Sequence, residues 1–382
     1  MDFGLSEDQQ TLRDEIIRFA RNELNDGLIE RDRSGTFSRD LWLKCGEMGL
    51  LGLAVPEQHG GSGLDALTSA IALDAFGYGC EDGGLVFSVC AHLLSCVVPL
   101  WKFGTEDQKC RFLPGLCGGT LIGVHAMSEA GSGSDAFGMR TTAERDGDGW
   151  RLNGSKTFIS NGPVADVVIV FAMTDRERGF HGGVTGFIVT KGAAGFRATQ
   201  KIEKMGLRTS PFGELVFEDV FVPAGMVLGQ PGGGSGIFTH AMDWERICLF
   251  ASHVGAMERL LEKAREYART RTQFGQTIGK FQAVAHKIAD MRVQLEAARL
   301  LTYRSAWKLD RTRNVSLDAA MTKLFVSESL VRAALDTVQV FGGYGYTTEF
   351  QVERALRDAV GSTLYSGTSE MQRNIIARWL GL

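Results

Sequence analysis

The hydrophobic period of this chain changes twice along its length, and that change restricts its fold more than any other feature. Between residues 150 and 223 the apolar residues fall in short β-branched or aromatic runs, whereas on either side they recur at helical spacing. The runs are WRLNGSKTFIS (150–160), ADVVIVFAM (165–173), GVTGFIVTK (183–191) and GELVFEDVFVP (213–223), separated by Gly, Asp, Asn and Pro turns. This pattern predicts an antiparallel sheet, with DGDGW (146–150) as a hairpin turn. Before the sheet the chain reads as helical. Ser6 and Gln9 have capping-box spacing, and Leu12, Ile16, Phe19 and Leu24 follow on one face. The pattern continues over 41–53 and stops at Pro56, and HGGSG (59–63) is a turn. Stretches 65–76 and 86–103 are apolar enough to be buried nearly all round. GQPGGGSG (229–236) reads as a linker. Beyond it, 260–271, 282–308 and 316–341 form amphipathic helices. The last helix opens at GTSEMQ, where Ser369 and Gln372 predict a second capping box and Ile375, Ile376 and Trp379 a buried face. The expected class is α+β, with an N-terminal α-helical domain over 1–120, a middle β domain over 121–231 and a C-terminal helical bundle over 232–382.

Composition removes several function classes. A length of 382 residues suggests two or three domains. A net charge of −4 gives no electrostatic reason to expect nucleic acid or an anionic membrane as partner. Seven cysteines, an odd count without CxxC pairs, predict reduced thiols in a cytoplasmic protein. The start, MDFGLSEDQQ, is neither a secretory signal nor a basic transit peptide. No uncharged apolar run is expected to reach the ~20 residues that span a bilayer. GxxxxGK[ST], a strand–GxGxxG–helix unit and HExxH are all missing from the sequence, and the seven histidines are scattered. P-loop, Rossmann and zinc-hydrolase readings therefore lose support, and no metal is expected. His92, in an apolar helix, reads as a hydrogen-bonded core residue rather than a ligand.

One carboxylate is out of place. HAMDWERICLFASHVGAM (240–257) reads as a helix that opens after the glycine run at 232–236. Ile237, Ala241, Met242, Cys248, Leu249, Ser252 and Gly255 fall near one stripe, with Glu245 in its middle. Its neighbours three and four positions away are Ala241, Met242, Cys248 and Leu249, none of which can neutralise it. A carboxylate on an apolar face is costly unless paired or protonated. Two readings are open on this helix alone: a buried ion pair with Arg246 or a distant arginine, and a general base whose pKa is raised by desolvation.

HAMSEAGSGSD (125–135) offers small residues, hydroxyls at Ser128, Ser132 and Ser134, and a backbone open to close approach by a ligand. It is followed by NGSKTFISNG (153–162), RTRTQFGQTIGKFQ (269–282), VQVFGGYGY (338–346) and LYSGTSEMQRNIIAR (364–378). In this order, over essentially the whole chain, these segments resemble the acyl-CoA dehydrogenase family. The resemblance implies that family's fold with a C-terminal four-helix bundle, FAD between the sheet domain and the bundle, and a homotetramer (or dimer). Met127, Ser128 and Ser134 match positions that line the flavin ring and the thioester arm. Phe158 and Ser160 stand in the family's Trp-Ile-Thr segment, keeping an aromatic face and a hydroxyl. Arg271, Phe274 and Gln282 match residues that a neighbouring subunit sends to the FAD pyrophosphate and adenine, and Gln339, Gly342 and Gly343 match a second such contact. Thr368 matches a cofactor contact at a helix N-terminus. Ser134, Asp243, Arg246 and Gly367 match positions beside the substrate, although Asp243 and Arg246 read equally well as a local ion pair.

The chain also departs from the family pattern. Many members carry the catalytic Glu immediately before the Gly-Thr of the last motif, where this chain has Ser366. A branch typified by isovaleryl-CoA dehydrogenase places its Glu on the bundle's first helix, in a segment that lines up with Met-Asp-Trp-Glu-Arg at 242–246. The resemblance thus implies that Glu245 is the relocated base for the α-proton, with flavin N5 as hydride acceptor. The expected activity is FAD-dependent α,β-dehydrogenation of an acyl thioester, on a short or branched acyl-CoA or on a carrier protein. FSVCAHLLSCVVPLWKFG (87–104) and the Trp-Glu pair 244–245 look similar to the prolyl-carrier-protein dehydrogenases. Electrons would leave to an electron-transfer flavoprotein or to oxygen. A flavin oxidase or monooxygenase of the same fold, or a non-catalytic flavoprotein, are the alternatives; the Glu at 245 argues against the first.

Overall fold

Most of the N-terminal helices start at a residue whose side chain accepts from the first free amides. In the computed structural model, which describes residues 4–312 and 314–382, Ser6 and Gln9 form the expected reciprocal box on helix Glu7–Glu23. Asp65 caps Ala66–Gly79, Asp82 caps Gly83–His92, and Thr105 with Gln108 boxes Glu106–Cys117. Helix Gly83–His92 runs on through a π-turn, Leu93–Val97, into Val98–Phe103. This corrects the expectation about bilayer spans, since the 21 residues Gly83–Phe103 are long and apolar enough to cross one. Their apolar window is 89% buried inside the protein, so the stretch is a core helix.

Four strands fall where alternation predicts them, at Gly149–Ser160, Val167–Met173, Val184–Thr190 and Phe212–Pro223. Gly147, at φ 57°, makes the hairpin turn after Asp146. The sheet is not purely antiparallel. Gly123–Ala126 runs parallel to Val167–Met173, and Thr142 pairs with Met173 in the same sense. The short strands Gly123–Ala126, Thr142–Asp146, Phe196–Lys201 and Val227–Leu228 carry too little alternation to be read from sequence. Val167–Met173 is buried on both faces. Val168, Val170 and Ala172 face a core within the sheet part, while Ile169 and Phe171 face the helices.

After the linker the backbone is helical from Gly234–Trp244 through a second π-turn, Glu245–Leu249, into Phe250–Thr270. The expected separate helix at 260–271 is therefore the end of this run. Helices Gln282–Leu309, Ser316–Phe341, Val352–Gly361 and Ser369–Trp379 complete the C-terminal part. The last one corrects the predicted cap by one residue. Thr368, in extended backbone, accepts from Met371 N at 3.3 Å. Ser369 is already helical, and the Gln372 amide turns instead to the Ser366 and Gly367 carbonyls at 3.2 and 2.9 Å. Phe250–Thr270 crosses Ala66–Gly79 without side chains between them: a methyl on Gly77 would overlap the Ser252 carbonyl, and one on Gly255 the Asp74 carbonyl. One core thus runs from Ile16 and Trp42 through Phe250 to Ala359, joining the two helical parts.

Candidate active site

The two π-turns face one another, and the site lies where they meet. Each π-turn inserts a residue into its helix and turns the side chains that follow, which lets Ser95 and Glu245 point at each other. Glu245 is 8% exposed, among the buried Trp244, Ile247, Cys248 and Leu249. Both its oxygens are met by hydroxyls: Ser95 Oγ lies 2.5 Å from Oε1 and Ser366 Oγ donates to Oε2 at 3.0 Å. Burial lifts the Glu245 carboxyl above its usual range, and the Ser95 and Ser366 hydroxyls and Arg246 pull it part of the way back. No arginine or lysine reaches the carboxylate as a contact ion pair among the described residues. The buried-pair reading of the sequence therefore falls.

Ser366 reaches Glu245 because the chain turns left-handed there. Its φ is 54°, Gly367 follows at 85°, and the turn aims the Ser366 hydroxyl inward as the last helix begins. The Ser366 carbonyl accepts from Arg246 Nε at 3.0 Å. Asp243 goes elsewhere, accepting from Ser316 Oγ at 3.1 Å on Oδ2. The ion pair between Asp243 and Arg246 that the sequence left open does not form. Asp243 Oδ1 has no hydrogen-bond partner, and burial pushes the Asp243 carboxyl up to about 6 against the pull of Arg246.

A second set of predicted residues lines the sheet. Met127 and Ser128 follow strand Gly123–Ala126, and Thr157 N donates to the Ser128 carbonyl at 2.9 Å. A buried lysine clamps this corner: Lys156 Nζ donates to Met127 O at 3.0 Å and to Glu129 Oε1 at 2.8 Å. The sequence reading missed Lys156 and Glu129. The signal available was a charged residue at an inward position of an alternating strand. Between Lys156 and Ile159 the pairing with Phe212–Pro223 is bulged, and Phe158 at φ 61° is turned out, 59% exposed and stacked on Phe212 at 5.8 Å. An outward aromatic held by an unfavourable backbone angle, beside the half-buried Ser160 hydroxyl, fits one face of a flavin ring. Asn161 Nδ2 donates to Ser88 O at 3.0 Å, tying this strand end to the helical run that carries Ser95. Ser134 is exposed in the loop beyond, and Thr368 and Gly367 sit at the start of the last helix.

The third set does not join the first two within one chain. Arg271 stands 26 positions beyond Glu245 (271 − 245) on a nearly unbroken helical run, a separation of roughly 39 Å at about 1.5 Å per residue. Its guanidinium lies over the Tyr344 ring at 5.7 Å, and both line one open cleft with Tyr267, Thr270, Glu349 and Phe350. Phe274 is 93% exposed, and Gln282, Gln339, Gly342 and Gly343 are also at the surface. Nothing lies within 4 Å of a methyl built on Gly342 or Gly343, just before Tyr344 in the chain. An arginine flanked by open glycines suits a diphosphate.

His92 is a core residue, as expected. Nδ1 accepts from Gly123 N at 2.9 Å, Nε2 donates to Leu116 O at 3.1 Å, and burial lowers its pKa to about 4. Away from the site, His59, Glu106 and Cys110 bring three metal-ligating atoms within 4.8 Å, with Lys109 already on Glu106 at 2.7 Å. The seven cysteines are all free.

Helices around a sheet that turns an aromatic outward, with a buried carboxylate on the helical part, suit a flavin-dependent oxidoreductase. Models of the acyl-CoA dehydrogenase N-terminal, middle and C-terminal domains match residues 6–120, 125–220 and 232–381. The chain belongs to the acyl-CoA dehydrogenase family, FAD-dependent enzymes that dehydrogenate acyl thioesters. It is 43% identical, over 100% of both chains, to an L-prolyl-[peptidyl-carrier protein] dehydrogenase of Pseudomonas fluorescens. Among solved structures it resembles the prolyl acyl carrier protein oxidase AnaB, with 45% identity and a TM-score of 0.97, over 99% of this chain and 100% of that one. It also resembles PigA with FAD and proline, with 42% identity and a TM-score of 0.98 over 100% of both.

Proposed function

We propose that the chain dehydrogenates the α,β-bond of an aminoacyl group, prolyl first among them, held as a thioester on a carrier protein, with Glu245 as the base. The observation that carries the base assignment is a single carboxylate, buried and free of any cation in contact, held between the Ser95 and Ser366 hydroxyls. Ser366 occupies the place of the more usual family base and has become a donor to the relocated one. Likeness along the full chain to two L-prolyl-[peptidyl-carrier protein] dehydrogenases and a prolyl acyl carrier protein oxidase supports the carrier-bound substrate.

The bound flavin supplies a hydride acceptor. Met127, Ser128, Ser134, Phe158, Ser160 and Thr368 would hold it from one chain, while Arg271, Phe274, Gln282, Gln339, Gly342 and Gly343 would reach it from a second copy. Glu245 takes the α-proton, whose loss the thioester carbonyl favours, and the walls of Trp244 and Leu249 keep water from the charged carboxylate. Asp243, whose Oδ1 lacks a donor, and Arg246 would stand beside the substrate arm. A homotetramer (or dimer) is supported by exposed apolar side chains on the C-terminal helices, among them Val293, Leu300, Trp307 and Leu335. Free thiols throughout support a reducing, cytoplasmic location.

Anaerobic flavin bleaching tests the substrate. Prolyl-carrier-protein thioester should bleach the flavin at a rate that short and branched acyl-CoAs do not approach. Faster bleaching by an acyl-CoA would overturn the carrier-bound assignment. Peroxide formation under air, against electron delivery to an electron-transfer flavoprotein, identifies the acceptor.

A further inference from the structure

The Ser95 hydroxyl has one hydrogen and two acceptors. Its Oγ lies 2.8 Å from Ala91 O, one turn back on the same helix, and 2.5 Å from Glu245 Oε1 on the facing one. A hydroxyl can donate to only one of these at a time. When Glu245 is charged, the hydrogen belongs on Oε1, since a bond to a charged acceptor is the stronger. When Glu245 is protonated, its own O–H can donate to Ser95 Oγ, and the Ser95 hydrogen turns to Ala91 O. Either way no acceptor or donor of the pair is stranded in the core. Ser366 offers no second acceptor of this kind, as its only hydroxyl bond runs to Oε2.

We infer that Ser95 is a positioning residue for proton abstraction, holding Glu245 in line while charged and receiving the Glu245 O–H once the α-proton has been taken. The inference rests on the reading of Glu245 as the base. The paired π-turns are what bring the two side chains together: Leu93–Val97 carries Ser95 and Glu245–Leu249 begins with Glu245. Other groups around Glu245 do not compete for the proton. Arg246 on the same turn is a permanent cation directed at Ser366 O. Cys90, on the helix before Ser95, is pushed up to about 12 by burial, and burial likewise holds the Tyr365 phenol, beside Ser366, well above its ordinary value. Lys323, from helix Ser316–Phe341, lies over the Phe250 ring, and burial and then the Arg246 charge bring its pKa down to about 8.

The test measures flavin content and the pH dependence of anaerobic flavin reduction in wild type, Ser95→Ala, Ser95→Cys, Ser95→Thr and Glu245→Gln. Ser95→Ala should bind FAD normally, and the acid limb of its reduction rate should move up by about one to two pH units, the effect of removing a hydrogen bond to a charged group. Ser95→Cys, similar in size but a weak donor, should shift the limb in the same direction and serves if the alanine variant folds poorly. Ser95→Thr, which keeps a hydroxyl, should return the limb toward wild type. Unmoved acid limbs in Ser95→Ala and Ser95→Cys, with Glu245→Gln inactive, would overturn the role of Ser95 alone. Normal bleaching by Glu245→Gln would overturn the base assignment and this inference with it.

Discussion

At the scale of single residues, the chemistry turns on how burial changes two acids three helical positions apart or fewer. As the proposed base Glu245 must be charged to act, and burial raises its pKa. Flavin reduction should therefore climb with pH through a midpoint above the ~4.3 of a free Glu, and a pH–rate profile checks it. Glu245→Gln should lower the reduction rate by roughly 10²–10⁴ while retaining FAD. Asp243 bears on stability. Its folded pKa of about 6 exceeds the reference value of 3.8. The folded chain thus binds more protons between these values, and stability falls as pH rises across that window. Above it the penalty is fully present, on the order of 3 kcal/mol. Asp243→Asn should raise the thermal midpoint at pH 8 and leave it unchanged at pH 4. Glu245 was legible because a carboxylate interrupts an apolar stripe. Ser95 was not, because no local pattern reveals which residue 150 positions away will stand opposite it.

At the scale of elements, two features set the geometry, and neither is a regular helix or strand. The π-turns aim Ser95 and Glu245, and the bulge before Ile159 aims Phe158. Neither carries a glycine or proline to mark it: the turns read LLSCV and ERICL, ordinary helical sequence. The helices themselves were readable from capping residues and apolar spacing. The cap of the last helix slipped by one because Thr368 and Ser369 are both good N-caps, and the extended backbone at Thr368 decided between them. The crossing of Ala66–Gly79 and Phe250–Thr270 depends on Gly77 and Gly255. Gly255→Ala would force the helices apart, and we expect a loss of about 1–3 kcal/mol in chemical denaturation. Flavin reduction should suffer too, since the same helical run carries Glu245.

At the scale of the molecule, the residues proposed to hold the cofactor split into a set on the sheet and the last helix and a set at the far end of Phe250–Thr270. Arg271→Ala removes the guanidinium proposed to bind the diphosphate, roughly 39 Å from Glu245. We expect that variant to lose FAD on gel filtration, with the loss growing at high salt and low protein concentration, while its isolated fold survives. Stabilisation by bound FAD should fall accordingly; a ligand present at a hundred times its Kd contributes about 2.7 kcal/mol. Light scattering alongside flavin absorbance separates dissociation of the assembly from loss of the cofactor alone.

The sequence by itself determined the order of helical and sheet parts, the four long strands, the odd carboxylate at 245 and the family. All of these are written in local spacing or in motifs of contiguous residues, which is why they survive without coordinates. Tertiary structure decided what the buried carboxylate touches. It replaced the ion pairs left open for Glu245 and Asp243 with hydroxyl contacts from Ser95, Ser366 and Ser316. It also showed that the apolar Gly83–Phe103 stretch is a core helix rather than a membrane span. Burial and the partners of a polar group depend on chains that meet from distant positions, and a long-range meeting leaves no mark on the local pattern of either segment.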